Sequence, residues 1–307
     1  MKTILFIFFL AIGYTSFSQQ KTIQERLGYP KETKLLIIHA DDMGVSHSEN
    51  AASIYTMEKG VVTSGSIMVP CPWFPEIAEY AKGHPDADIG LHLTLTSEWK
   101  NYKWGPVTSP DKIPSLLDEQ GYFNSTTSAL MKNGKAEEVE RELRGQIERA
   151  IKFGINPTHF DPHMAGAVST PEFLKVLIKL GHEYKVPVLL STELAKLFKI
   201  NLADYTTEKD IVIDRFVMAT YETYKYGMDN FYTEQIKSMT PGLNTILLHA
   251  AYDDAEMKAV TAGHIDYGAT WRQDDVTFFT SDKCKKLLAD EKIRLITWKE
   301  IRDKLIR

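Results

Sequence analysis

Ten residues constrain this chain more than any others: Leu35-Leu36-Ile37-Ile38-His39-Ala40-Asp41-Asp42-Met43-Gly44. An apolar run without polar alternation is the pattern of a strand buried on both faces, as in a parallel sheet covered by helices. The run stops at two adjacent carboxylates, and Gly44 permits the tight turn after them. Acids at the carboxyl end of such a strand sit where α/β folds place their chemistry. Side by side they repel each other unless a cation or a proton holds them together. The other reading is that Asp41 or Asp42 caps the next helix. The stretch alone leaves both readings open.

The remaining chain repeats strand and then helix. Residues 46–59 have helical spacing, with Ser46 as cap and Gly60 as stop. Residues 61–69 and 87–95 read as strands, with a helix at 73–82 between them. Residues 96–127 break the rhythm, and a connection of that length is usually functional or disordered. Its Trp99, Tyr102, Trp104, Tyr122 and Phe123 argue against disorder. An amphipathic helix follows at 137–153, a short strand leads into Asp161-Pro162-His163, and 170–184 is helical. Strands are expected at 186–190, 211–213, 243–249 and 293–296, and helices at 230–238, 281–290 and 299–306. Such units predict an α/β fold with a mainly parallel sheet. Polar residues recur at strand ends throughout the chain, which favours a distorted (β/α) barrel in one domain over an open sheet. No glycine-rich dinucleotide fingerprint follows the first strand.

Residues 1–18 carry the pattern of a cleaved export signal, with Lys2, an apolar stretch at 4–12 and Ser16-Phe17-Ser18. That stretch is short for a membrane span, so no stable membrane anchor is expected and the mature protein is expected to be periplasmic or secreted. Residues 19–33 are expected to form an extension, and 34–307 the single barrel domain. The 307 residues, 43% hydrophobic, are ample for one large core. A net charge of -5 argues against a nucleic-acid partner. Cys71 and Cys284 are too few for a disulfide framework, and the sequence leaves their pairing open. It is equally silent on oligomeric state, a homodimer being one arrangement it allows.

Four strand ends carry the chemistry: Asp41 with Asp42, His92, Asp161 with His163, and His249. A single strand histidine is usually structural, but several at corresponding ends of parallel strands would converge on one face of a barrel. Two imidazoles and one carboxylate, with positions left open, suit a catalytic divalent metal. Zn²⁺ or Mg²⁺ is expected first, and Co²⁺, Mn²⁺ and Ni²⁺ suit the same donors. A remaining aspartate could then serve as base and a remaining histidine as acid.

The Asp41-Asp42-Met43-Gly44 turn, Gly90-Leu91-His92-Leu93-Thr94-Leu95 and Thr158-His159-Phe160-Asp161-Pro162-His163 occur in that order, with Thr63-Ser64-Gly65-Ser66-Ile67-Met68 between the first two. Together they resemble the YdjC-like carbohydrate deacetylases, which include chitooligosaccharide deacetylases. The resemblance implies a metal-dependent barrel that removes acetyl groups from N-acetylated sugars or oligosaccharides. It implies Asp42, His92 and His163 as metal ligands, Asp41 as general base and His249 as the acid that protonates the departing amine. Arg272 would steady the catalytic aspartate, Asp41. The chain departs from the family pattern after His163, where Met164-Ala165-Gly166 follow, and after His249, where Ala250-Ala251 follow. These departures bear on substrate choice.

Around that set, His39 reads as structural, His159 as a group that orients others, and Asp161 either as a partner of a ligand imidazole or as a metal ligand itself. Trp99, Trp104 and Tyr122 are expected either to stack on sugar rings or to form the core of the long loop. His264 and Asp266 read as loop residues before substrate contacts, and Asp253-Asp254 as helix caps. A hydrolase of another acyl or phosphoryl ester would use the same donors. A carbohydrate-binding barrel without catalysis is the competing reading of a different class.

Overall fold

Residues 21–307 are described by a computed structural model, and the expected leader at 1–18 lies outside them. The apolar run around Ile37 forms β1, Lys34–Met43, buried from Leu35 onward. The other strands are β2 (Ser64–Ile67), β3 (Ile89–Leu93), β4 (Phe160–Pro162), β5 (Leu190–Ser191), β6 (Val212–Ile213), β7 (Arg215–Met218), β8 (Gly242–Leu248) and β9 (Arg294–Leu295). The main sheet runs β4-β3-β2-β1-β8-β7, with β9 added beside the start of β1. Every strand pair is parallel. Beyond β4 the pairing continues: Phe160 bridges Val188, β5 pairs with β6, and β6 runs through Asp214 into β7. The result is a distorted parallel barrel in a single domain, as expected.

Burial on both faces follows from the composition of β1. Leu36, Ile38 and Ala40 pack in one apolar cluster with Trp271, Phe278 and Phe279, while Leu35 and Ile37 pack in another with Leu243 and Trp298. The extension at 19–33 contains a short helix, Ile23–Leu27, closed by a reciprocal Thr22–Glu25 cap, and Leu27 joins the second of these clusters. Cys71 and Cys284 are buried free thiols in separate clusters. Among the described residues no helix is long and apolar enough to cross a membrane.

Most predicted elements are present with shifted ends. The strand expected at 61–69 is four residues long, and that at 186–190 reduces to Leu190–Ser191 plus the Val188 bridge. The closing helix winds regularly only over Trp298–Ile301 before a wider turn at Arg302–Ile306. Several elements have no counterpart in the sequence reading, among them β7, the short helices Thr127–Asn133 and Thr192–Leu197, and the twelve-residue helix Ala269–Thr280.

Candidate functional site

The helix after β1, His47–Lys59, is capped by Ser46, whose side chain accepts the Glu49 N–H at 3.0 Å. Asp41 and Asp42 are therefore free of a capping role. Strand alternation would send their side chains to opposite faces. The register of β1 against β2 resolves this: Ala40 faces Gly65 and Met43 faces Ile67, so β1 carries one extra residue here. Asp42 adopts a left-handed backbone, φ 64°. Aspartate tolerates that conformation better than most residues, and such strain gathers at functional sites. Both carboxylates consequently line one pocket of about 340 Å³, together with His92, His163, His249 and Arg272.

Asp42, His92 and His163 bring their donors together. His92 Nε2 and His163 Nδ1 each lie 3.6 Å from Asp42 Oδ1. That is long for a hydrogen bond, and this buried oxygen has no hydrogen-bond partner. Donors bound to one ion at about 2.0–2.1 Å stand roughly 3.0–3.5 Å apart, so the cluster fits a divalent cation with little adjustment. The opposite ring nitrogens fit as well. His92 Nδ1 donates to Asp161 Oδ1, and His163 Nε2 donates to Glu98 Oε2 at 3.1 Å. Each carboxylate fixes the tautomer that turns a lone pair toward Asp42, a carboxylate–histidine pairing common around metals.

The electrostatics agree. Burial opposes charge on the imidazoles, yet Asp41 and Asp161 raise the pKa of His92, and Glu98 and Asp42 bring that of His163 to about 10. Burial likewise opposes charge on Asp42, but His249, His163 and Arg272 hold its carboxyl well below the usual range. Clustered carboxylates thus favour positive charge in the pocket, and a cation would displace protons from the imidazoles.

Asp41 is held by its other side. His39 Nε2 lies 2.8 Å from Asp41 Oδ1 and 3.2 Å from Asp161 Oδ2, and Ser66 donates to both carboxylates at 3.3 and 3.2 Å. The structural reading of His39 is too weak: this fully buried ring orients the acid beside Asp42 and His92. Burial opposes its charge, and Asp41 and Asp161 raise its pKa to about 10. His159 Nε2 is 3.0 Å from Asp161 Oδ2, so it stands one step behind His92, as expected of a residue that orients others.

His249 Nε2 is 3.8 Å from Asp42 Oδ2, and its ring packs on Tyr267 with centroids 4.3 Å apart. Burial lowers its pKa to about 4, with Arg272 adding to the effect, so the resting ring is neutral. Arg272 is 2% exposed and donates to Asp42 Oδ2 at 3.0 Å and to Glu49 Oε2 at 2.7 Å. The aspartate it steadies is Asp42, not the Asp41 expected, because Asp41 Oδ1 is already held by His39 and Ser66.

Trp99 lines the pocket and packs under the Arg272 guanidinium at 5.5 Å. Trp104 is buried behind His163, donates to the Thr96 carbonyl and is absent from the pocket wall, which leaves it no sugar face to stack on. Tyr122 also lies off this wall. His264 and Asp266 line it. Glu49, Glu98, Tyr267 and Asp275 were missed by the sequence reading. Asp275 accepts the His249 N–H at 3.1 Å and the Tyr232 hydroxyl at 2.8 Å.

Comparison with known proteins follows the same line. The family model described as YdjC-like protein matches residues 35–290. A carbohydrate deacetylase of Thermus thermophilus is 33% identical, with 92% of this chain and 98% of that protein covered. One of Brevibacillus brevis is 31% identical, covering 87% and 99%. A crystal structure of a putative cellobiose-phosphate cleavage protein from Enterococcus faecalis superposes with a TM-score of 0.70 at 25% identity, covering 88% of this chain and 99% of that one. The matched segment begins at β1 and takes in all four strand ends that build the pocket, so the chain belongs to the YdjC-like family.

Proposed function

We propose that this chain is a metal-dependent carbohydrate N-deacetylase, hydrolysing the acetamido group of an N-acetylated sugar to acetate and a free amine. One observation carries the reading: Asp42 Oδ1 is buried and without a hydrogen-bond partner, facing two imidazole nitrogens whose far sides are tied to carboxylates. The relatives named carbohydrate deacetylases support the choice of a sugar amide. Asp42, His92 and His163 would hold the ion, which when bound supplies Lewis-acid polarisation of the amide carbonyl and a more acidic water.

The residues of the chain do the rest. Asp41 presents Oδ2 to the pocket, 3.6 Å from His92 Nε2, while His39 and Ser66 hold Oδ1. It takes the proton of the attacking water as that oxygen bonds to the acetyl carbon. Arg272 keeps Asp42 turned toward the two histidines. His249 starts neutral, and negative charge developing at the carbonyl favours its protonated form. It takes up a proton from solvent and passes it to the amine nitrogen as the carbon–nitrogen bond breaks, while the proton taken by Asp41 returns to solvent. The mature chain would work outside the cytoplasm, on the leader pattern of residues 1–18.

The test is acetate release from short N-acetylglucosamine oligomers, with and without a chelator. Release that stops on chelation and returns on adding divalent metal is the expected result. No release with metal demonstrably bound would replace the amide by another acyl or phosphoryl ester. No release and no bound metal would leave a binding barrel.

A further inference from the structure

The pocket has two unlike halves. One is polar, formed from β1, β3, the end of β8 and the segment around Arg272. The other follows the barrel from β4 through β5 and β7 into β8 and is apolar, with Met164, Leu197, Phe198, Phe216, Met218 and Leu247 along it. Exposure on this half varies widely: Leu247 is buried, Met218 is 40% exposed, Met164 51% and Leu197 70%, the last three standing open to solvent. Large apolar side chains left in water around one opening mark a surface that something covers.

The chain also holds one of them there at a cost. Met164 and Ala165 are consecutive left-handed residues, φ 50° and 55°, directly after His163. That conformation is unfavourable for side chains with a Cβ. It is fixed by Thr127, whose hydroxyl donates to the Met164 carbonyl at 2.9 Å.

We infer that the substrate is an N-acetylated sugar carrying an apolar aglycone, which lies against Met164, Leu197 and Met218. This rests on the deacetylase reading and narrows it. A sugar ring bears hydroxyls around its edge that need hydrogen-bonding partners, and an aliphatic wall offers none. A hydrocarbon group satisfies that wall. The amide must reach the floor, where Asp41 and Asp42 are buried, so a longer acyl chain would start at the wrong depth. A group borne by the sugar outside its acetamido substituent trails toward the mouth, where the exposed side chains are.

The experiment compares methyl and hexyl N-acetylglucosaminides, by calorimetric binding to chelator-treated protein and by acetate release from metal-loaded protein. Each methylene buried on the wall is worth roughly fourfold, so the hexyl compound should bind at least about tenfold tighter than the methyl one. Leu197→Ser with Met218→Ser should bring that ratio below about threefold. Equal binding of the two compounds, or a ratio that survives both serines, overturns the inference. Acetate released from both compounds with no hexyl preference would refute it alone and leave the deacetylase reading standing. No acetate from either would refute the parent reading.

Discussion

Replacing Arg272 with methionine tests the electrostatic frame of the site. The guanidinium is buried between two carboxylates, 3.0 Å from Asp42 and 2.7 Å from Glu49, with its Nε donating to the Tyr267 carbonyl at 2.7 Å. Methionine keeps much of the length and volume but removes the charge and the donors. Deleting one member of a buried ion pair costs roughly 3–5 kcal/mol, because the other member stays buried and unpaired. Glu49 softens this. Burial, against the pull of Arg272, brings its pKa to about 8, so it can stay protonated when the guanidinium is gone. Asp42 is held far below its ordinary pKa and has no such escape. The expected loss is therefore about 3 kcal/mol, at the lower end, and nearly all of it belongs to Asp42. Asp42→Asn isolates that share, since asparagine also tolerates the left-handed backbone there. Alone it should cost about 1–2 kcal/mol, because Arg272 keeps Glu49. Combined with Arg272→Met, the loss should fall short of the sum by about 2 kcal/mol. Urea unfolding at pH 7 in chelator reads all four corners of this cycle without a metal contribution. Additivity within about 0.5 kcal/mol, or a single-mutant loss below about 1 kcal/mol, would refute the reasoning.

Asp41→Asn should abolish acetate release while leaving metal affinity within about threefold, since Asp41 is outside the proposed ligand set; retained turnover would remove it from the role of base. Gly90→Ala should destabilise the fold by roughly 1–3 kcal/mol, because a Cβ there would intrude on the buried His159 ring; an unchanged urea midpoint would count against that packing. Burial, opposed by its hydrogen bonds from His249 and Tyr232, raises the pKa of Asp275 to about 7 against about 3.9 in the unfolded chain. A raised carboxyl keeps its proton in the folded state after the unfolded chain has released it. Its contribution to stability is thus complete below about pH 4 and lost as pH rises to about 7, at up to about 1.4 kcal/mol per pH unit. Asp275→Asn should flatten that slope in chelator, and parallel pH profiles for both proteins would rule this out.

The parts legible in sequence were those where one element decided the outcome. An apolar run such as Leu35–Ala40 has few fates other than a buried strand, and His92 and His163 lie at strand ends, where parallel barrels put functional groups. The parts that were hidden depend on contacts between elements. The helix Ala269–Thr280 lacks an apolar stripe because its buried positions include Arg272 and Asp275, whose partners are Asp42, Glu49 and the His249 backbone. A helix whose inward face is polar looks like a loop until its partners are known. Glu49 was hidden differently. Three residues after Ser46 it has the spacing of a reciprocal cap, yet its side chain turns inward to Arg272. β7 was obscured by Asp214 and Arg215 at its start and by the exposed Met218 at its end, a polarity that suits a pocket rim better than a core strand.

The adjacent acids show how the two kinds of information meet. Sequence alone marks Asp41 and Asp42 as a strained, charged pair at a strand end, but period-two alternation would separate them across the sheet. The extra residue in β1 and the left-handed turn at Asp42 bring both to one side. That arrangement requires neighbours that offset its cost. Gly65 supplies one condition, since a Cβ at that position would crowd Met43 Sδ beside the bulge. His39 and Arg272 supply the others, each placing a donor on one acid. The two carboxylates are thereby made unequal: Asp41 is held by a histidine from within its own strand, and Asp42 by an arginine from a helix 230 residues away in sequence. Such a division suits neighbouring groups of one chemical type to the separate parts proposed for them, ligand and base.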